Sequence, residues 1–64
     1  MKVENIIELF EDALFQKIEI WDNGANSARY KGNADDTPEQ YKKREVKSIE
    51  SYADAPGVIY INLL

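Results

Sequence analysis

Neither cysteine nor histidine occurs in the 64 residues of this chain, and no other feature constrains its fold as strongly. A domain of this size buries only about 60% of the surface its unfolded chain exposes. Chains near that limit are usually held by disulfides, a structural metal or self-association. Disulfides are impossible without cysteine, and a metal is disfavoured because structural sites draw mostly on thiolates and imidazoles. What remains is one hydrophobic core over residues 1–64, or a core completed by another chain. The same absence removes the usual nucleophile and the usual general base.

Composition supports a folded domain. Hydrophobic residues make up 44% and aromatics 11%, enough to build a core. The net charge of −4 works against bulk phosphate attraction. No apolar run approaches the ~18 residues needed to cross a membrane. Glu4, Glu8, Glu11 and Asp12 would interrupt any apolar leader segment. A cytoplasmic protein with no membrane partner is expected.

Val3, Ile6, Ile7, Phe10 and Leu14 recur at helical spacing, with Leu9 and Ala13 beside them, and predict an amphipathic helix over residues 3–14. Acidic residues in its last turn oppose the macrodipole and leave its end poorly defined. Residues 16–21 then alternate. Ile18 and Ile20 face one way, and Lys17, Glu19 and Trp21 the other. Asp22-Asn23-Gly24 is a turn signal, and residues 28–31 form the return strand. Thr37-Pro38-Glu39-Gln40 has the pattern of a helix start, with Thr37 as the N-cap and Gln40 completing a capping box. That short helix should run through Lys43. Residues 46–52 form a third strand in which Val46 and Ile49 share a face only if a bulge intervenes. Ala55-Pro56-Gly57 suits a type II turn. In the fourth strand, residues 58–63, Ile59, Ile61 and Leu63 share one face, and Val58, Tyr60 and Asn62 the other.

The order is αββαββ. Two hairpins imply an α+β domain with a mostly antiparallel four-stranded sheet and the N-terminal helix packed on one face.

Catalytic chemistry is poorly represented. Ser27, Ser48 and Ser51 have no histidine to activate them. Gly24, Gly32 and Gly57 form no phosphate-binding loop. Asp35 and Asp36 are adjacent, but acids before a helix start suit the positive helix end better than a metal. Asp22-Asn23-Gly24-Ala25-Asn26 lacks the spacing of a calcium loop. No cofactor, no metal and no enzymatic activity are expected.

Three surfaces are candidates for binding. Lys42, Lys43, Arg44 and Lys47, with Arg29 beside Tyr30, could contact single-stranded nucleic acid. Their plainer role is to neutralise an acidic domain and cap the short helix. Glu4, Glu8 and Glu11 could present an acidic helix face to a basic groove, or simply be a solvated face. Trp21, Tyr30 and Tyr60 could anchor a protein interface if the helix covers only one sheet face. The alternative is that the short helix covers them.

The segments IEIWDN, YKGNADDTPEQYKKREVKSIES and VIYINL span most of residues 18–63. Their strand ending in Asp-Asn, G-x-A-D loop, P-E-x-Y helix and E-V-x-S-I strand resemble the small proteins of phages, prophages and other mobile elements of Firmicutes. The resemblance implies a non-catalytic accessory protein, in some cases one that binds a host defence protein. It carries over no functional residue. The leading expectation is a small accessory protein acting by binding a bacterial protein. The alternatives are a homodimer formed by strand four at a sheet edge, and weak binding of single-stranded nucleic acid.

Overall fold

The fully buried aliphatic side chains of the sheet, Ile18, Ile20, Ile61 and Leu63, lie on two strands, and the fold is arranged around them. The computed structural model describes residues 1–22 and 24–64, so the expected part of Asn23 in a turn lies outside the described residues. The elements are α1 (Val3–Leu9), β1 (Lys17–Trp21), β2 (Tyr30–Asn33), a 3-10 turn (Ala34–Asp36), α2 (Glu39–Lys42), β3 (Val46–Glu50) and β4 (Val58–Leu63). This is an α+β fold with a four-stranded sheet in the order β2-β1-β4-β3. The central strands are β1 and β4, which carry these buried side chains. The edges are β2 and β3, which carry Lys31, Gly32, Lys47 and a bulge, features that discourage further strand addition.

Both expected hairpin pairings form, β1 with β2 and β3 with β4, each antiparallel. They join through a parallel β1–β4 pair, with Ile18 opposite Ile59 and Ile20 opposite Ile61. The sheet is therefore mixed. The parallel pair places Ile18, Ile20, Ile61 and Leu63 together under the helix, and this burial outweighs the small cost of parallel pairing. It also places β4 between two neighbours, so strand four does not lie at the sheet edge that the expected dimer requires.

The core consists of Val3, Ile6, Ile18, Ile20, Ala34, Ile61 and Leu63. Ile7, Phe10, Ala13, Tyr30, Tyr41, Val46 and Ile59 pack against it. The register shift between Val46 and Ser48 is the bulge needed to put Val46 and Ile49 on one face. Gly57 has φ +80, and the Val58 N–H donates to the Ala55 carbonyl over 3.4 Å, as the expected type II turn requires.

Several boundaries differ from expectation. The first helix ends at Leu9, because Phe10 is already extended at φ −71, ψ 133. A turn follows in which the Phe15 and Gln16 N–H groups both donate to the Asp12 carbonyl, over 3.2 and 3.1 Å. Helical spacing fails beyond Phe10, so Leu14 is exposed instead of joining the apolar stripe, and Leu9, the last residue of α1, is exposed as well. The start of α1 is fixed by Asn5, whose side-chain oxygen accepts from the Lys2 N–H over 2.9 Å. Thr37 does not cap α2. Its buried hydroxyl donates back to the Ala34 carbonyl over 2.7 Å, closing the 3-10 turn. The N-cap of α2 is Pro38, and the helix ends at Lys42. The return strand begins at Tyr30 rather than Ala28, and the third strand ends at Glu50 rather than Tyr52.

Candidate functional site

Because side chains alternate along a strand, burying Ile18 and Ile20 under α1 sends Lys17, Glu19 and Trp21 to the opposite side of the sheet. The register then sets their neighbours. Glu19 stands opposite Lys31 on β2 and Tyr60 on β4, and Trp21 opposite Asn62. Tyr60 stands opposite Glu50 on β3, and Asn62 opposite Ser48. Both described helices lie on the other side or at its margin, with α1 and Tyr41 of α2 packed against the core. Among the described residues no helix covers the second face of the sheet, and the loop residues Gly24 and Ala25 flank it beside Trp21.

This face is ordered by hydrogen bonds and rings. The Trp21 indole N–H donates to Glu19 Oε1 over 3.0 Å. The Asn62 amide donates to Ser48 Oγ over 3.0 Å and to Glu50 Oε1 over 2.6 Å. The Tyr52 hydroxyl donates to Glu50 Oε2 over 2.6 Å. The Tyr52 and Tyr60 rings meet edge to face with centroids 4.8 Å apart, a favoured aromatic geometry. Trp21, Glu19, Tyr60 and Asn62 are each half-buried by these contacts. A shallow open trough of about 320 Å³ passes over Asn62 between Trp21 and Glu50, with Asp22, Lys47 and Ser48 also lining it.

The Tyr52 phenol has its pKa raised, first by the hydrogen bond it gives Glu50, then by burial and the nearby Glu50 and Asp54 charges. That of Tyr60 is raised first by burial, then by the Glu19 and Asp54 carboxylates. Both phenols remain protonated donors at neutral pH.

Of the expected interface residues, Trp21 and Tyr60 share this face and Tyr30 does not. Tyr30 stands opposite Ile20 and packs against the core, its hydroxyl donating to the Asn33 carbonyl over 2.6 Å. Period-two alternation in residues 28–31 could not reveal this, because the orientation of β2 depends on which residue of β1 it pairs with. Tyr52 and Asn62 were missed. Tyr52 lies just beyond β3, and only the register shows that it reaches Tyr60.

The acidic candidates are dispersed. Glu4 lies 3.6 Å from the Lys43 ammonium, Glu8 is exposed on α1, and Glu11 falls in the turn after it. Most of the basic candidates are engaged by acids. Lys42 pairs with Glu39 at 3.3 Å, and Arg44 and Arg29 approach Asp22 at 3.4 and 3.9 Å. Arg29 and Arg44 converge on Asp22, and Lys47 lines the same trough as that acid, so the charge of the two arginines is met by a carboxylate.

Among the described residues no group of acidic side chains is arranged to hold a metal ion, and no helix is long and apolar enough to cross a membrane. No protein-family model matches the chain, and neither a curated protein nor a solved structure matches it.

Proposed function

We propose that this protein is a non-catalytic accessory protein of the phage or mobile-element type, working in the bacterial cytoplasm by docking the open face of its sheet on a host protein. Inhibition of that host protein follows if the docked surface is one it needs. The observation carrying this reading is the grouping of Trp21, Tyr52 and Tyr60 on a sheet face that no helix covers among the described residues. Trp and Tyr anchor interfaces because they bury large area with little rotamer entropy and keep a polar end for hydrogen bonding. On this face they are already held by Glu19, Glu50 and one another, so docking has little ordering cost to overcome.

The test is capture from a Firmicute lysate with the wild-type chain and with Trp21→Ala/Tyr60→Ala as baits. A Glu8→Lys/Glu11→Lys bait serves as the control for the acidic helix. The expected result is one dominant protein retained by the wild type and the control and lost by the aromatic double variant, with unchanged circular dichroism. Equal capture by the aromatic variant, or loss only in the helix variant, would refute docking through the sheet.

A further inference from the structure

Two carboxylates on the open face are held by neutral hydrogen-bond donors. Glu19 on β1 and Glu50 on β3 stand on either side of Tyr60, in register with it across two strand pairs. Neighbouring strands lie about 4.8 Å apart, so both carboxylates are within reach of one long side chain laid over β4. Their hydrogen-bond donors are the Trp21 indole, the Asn62 amide and the Tyr52 hydroxyl, all neutral. Four other acids among the described residues meet cations: Glu4 with Lys43, Glu39 with Lys42, Glu45 with the N-terminal amine, and Asp22 with Arg29 and Arg44. Among the described residues neither Glu19 nor Glu50 has a cationic partner within 4.0 Å, although Lys17 and Lys31 share the face toward β2 and Lys47 lines the trough beside Glu50. The Tyr52 phenol is held protonated first by its hydrogen bond to Glu50 and the Tyr60 phenol first by burial, with the Glu50 and Asp54 charges adding to the former and the Glu19 and Asp54 charges to the latter.

We infer that this patch receives the guanidinium of an arginine on the docked protein, seated against Trp21 and Tyr60 between Glu19 and Glu50. The inference rests on the docking reading above and names the chemistry of its partner. A carboxylate offers about four acceptor sites, so Glu19 and Glu50 keep acceptor capacity after their internal bonds. A guanidinium is planar, weakly hydrated and carries five N–H donors, so it can address two carboxylates while lying on an aromatic ring. The ring faces supply negative quadrupole and the carboxylates supply net charge, and both favour a flat cation. The open trough over Asn62, between Trp21 and Glu50, gives the aliphatic stem a path to this position.

Trp21 is the only tryptophan in the chain, so its fluorescence and its indole N–H resonance report on the patch directly. The probe is acetyl-Gly-Arg-Gly-amide, titrated to millimolar concentration, with the neutral citrulline tripeptide as its isostere. The expected result is a saturable shift of the Trp21 indole resonance by the arginine peptide, with the citrulline peptide about tenfold weaker. Glu19→Gln and Glu50→Gln, whose folding is checked by amide dispersion, should each weaken the arginine response severalfold. Equal responses to arginine and citrulline, no saturable shift, or full arginine binding by both variants would overturn the inference. If the Trp21→Ala/Tyr60→Ala bait loses its protein while the arginine peptide leaves Trp21 unmoved, docking through the sheet stands and the arginine assignment falls.

Discussion

The two faces of the β1–β4 pair are formed by alternate residues of the same two strands, yet different forces hold them. The covered face is Ile18, Ile20, Ile61 and Leu63, all 1% exposed or less, ordered by burial under Val3 and Ile6. The open face is Glu19, Trp21, Tyr60 and Asn62, ordered by hydrogen bonds and an edge-to-face ring pair. Burial is non-directional and scales with area, so the covered face supplies stability. Hydrogen bonds at a half-exposed surface contribute little net stability but fix geometry. The contrast separates the residues that hold this domain together from those available to a partner.

The hardest test of that contrast is Ile61→Ala. Ile61 is fully buried at the centre of the sheet, opposite both Ile20 and Ile49. Truncating such a residue costs about 2–5 kcal/mol. A 64-residue domain has a total stability of only about 3–10 kcal/mol at typical values per residue. Urea denaturation should find the variant largely unfolded or close to it at 25 °C. A midpoint within experimental error of the wild type would mean that the covered face is not where the stability lies.

A smaller effect is expected at Gly32, where the covered face reaches the sheet edge. A Cβ built there would lie 2.7 Å from the Tyr30 hydroxyl oxygen and 3.0 Å from its ring carbon Cζ. Gly32→Ala should therefore push the Tyr30 ring off the edge and break its bond to the Asn33 carbonyl, costing about 1–3 kcal/mol as other overpacked sites do. In Tyr30→Ala/Gly32→Ala the clash is absent, so the two losses should be less than additive. Strict additivity in denaturation experiments would refute the contact.

These residues also show what the sequence could reveal. The alternation of Ile18 and Ile20, and of Ile59, Ile61 and Leu63, placed Trp21 and Tyr60 on the correct side of the sheet, because period two is local and unambiguous. The bulge in β3 was readable for the same reason. Tyr30 could not be placed, since its face depends on pairing with Ile20, a long-range choice. The parallel β1–β4 pair was hidden too. Each hairpin is signalled by its own turn, but nothing local states how two hairpins meet. Leu14 fits a helical stripe that Phe10 interrupts, and no glycine or proline marks the stop. The hydrogen-bonded pattern around Glu50 required two chain segments, one with Ser48, Glu50 and Tyr52 and one with Asn62, to be aligned before it existed.

On the open face, Asn62→Ala should cost only about 0.5–1.5 kcal/mol, the ordinary net worth of a hydrogen-bonding side chain. It removes the donor to both Ser48 and Glu50 and leaves the core intact. The expected signature is a small drop in denaturation midpoint together with increased mobility of the Trp21 and Tyr52 side chains by NMR. A loss as large as that of Ile61→Ala would erase the distinction between the faces.

The finest comparison uses the tyrosines as charge reporters, one on the covered face and two on the open one. Tyr30 has its pKa raised first by burial and then by the Asp36 charge, whereas Tyr52 is raised first by its hydrogen bond to Glu50. In both cases the folded chain holds the phenolic proton more tightly than the unfolded chain. The stability this provides is fully present below the unfolded value of about 10 and is lost as pH rises through the higher folded values. Ultraviolet titration of the folded protein should therefore lie above that of the urea-unfolded chain. Glu50→Gln should move only the Tyr52 component back toward the unfolded value, because a carboxylate holds it there. The same substitution should leave Tyr30 in place, because burial and Asp36 hold that ring and neither changes. A uniform shift of all the tyrosines, or none, would show that Glu50 does not set the potential of the open face.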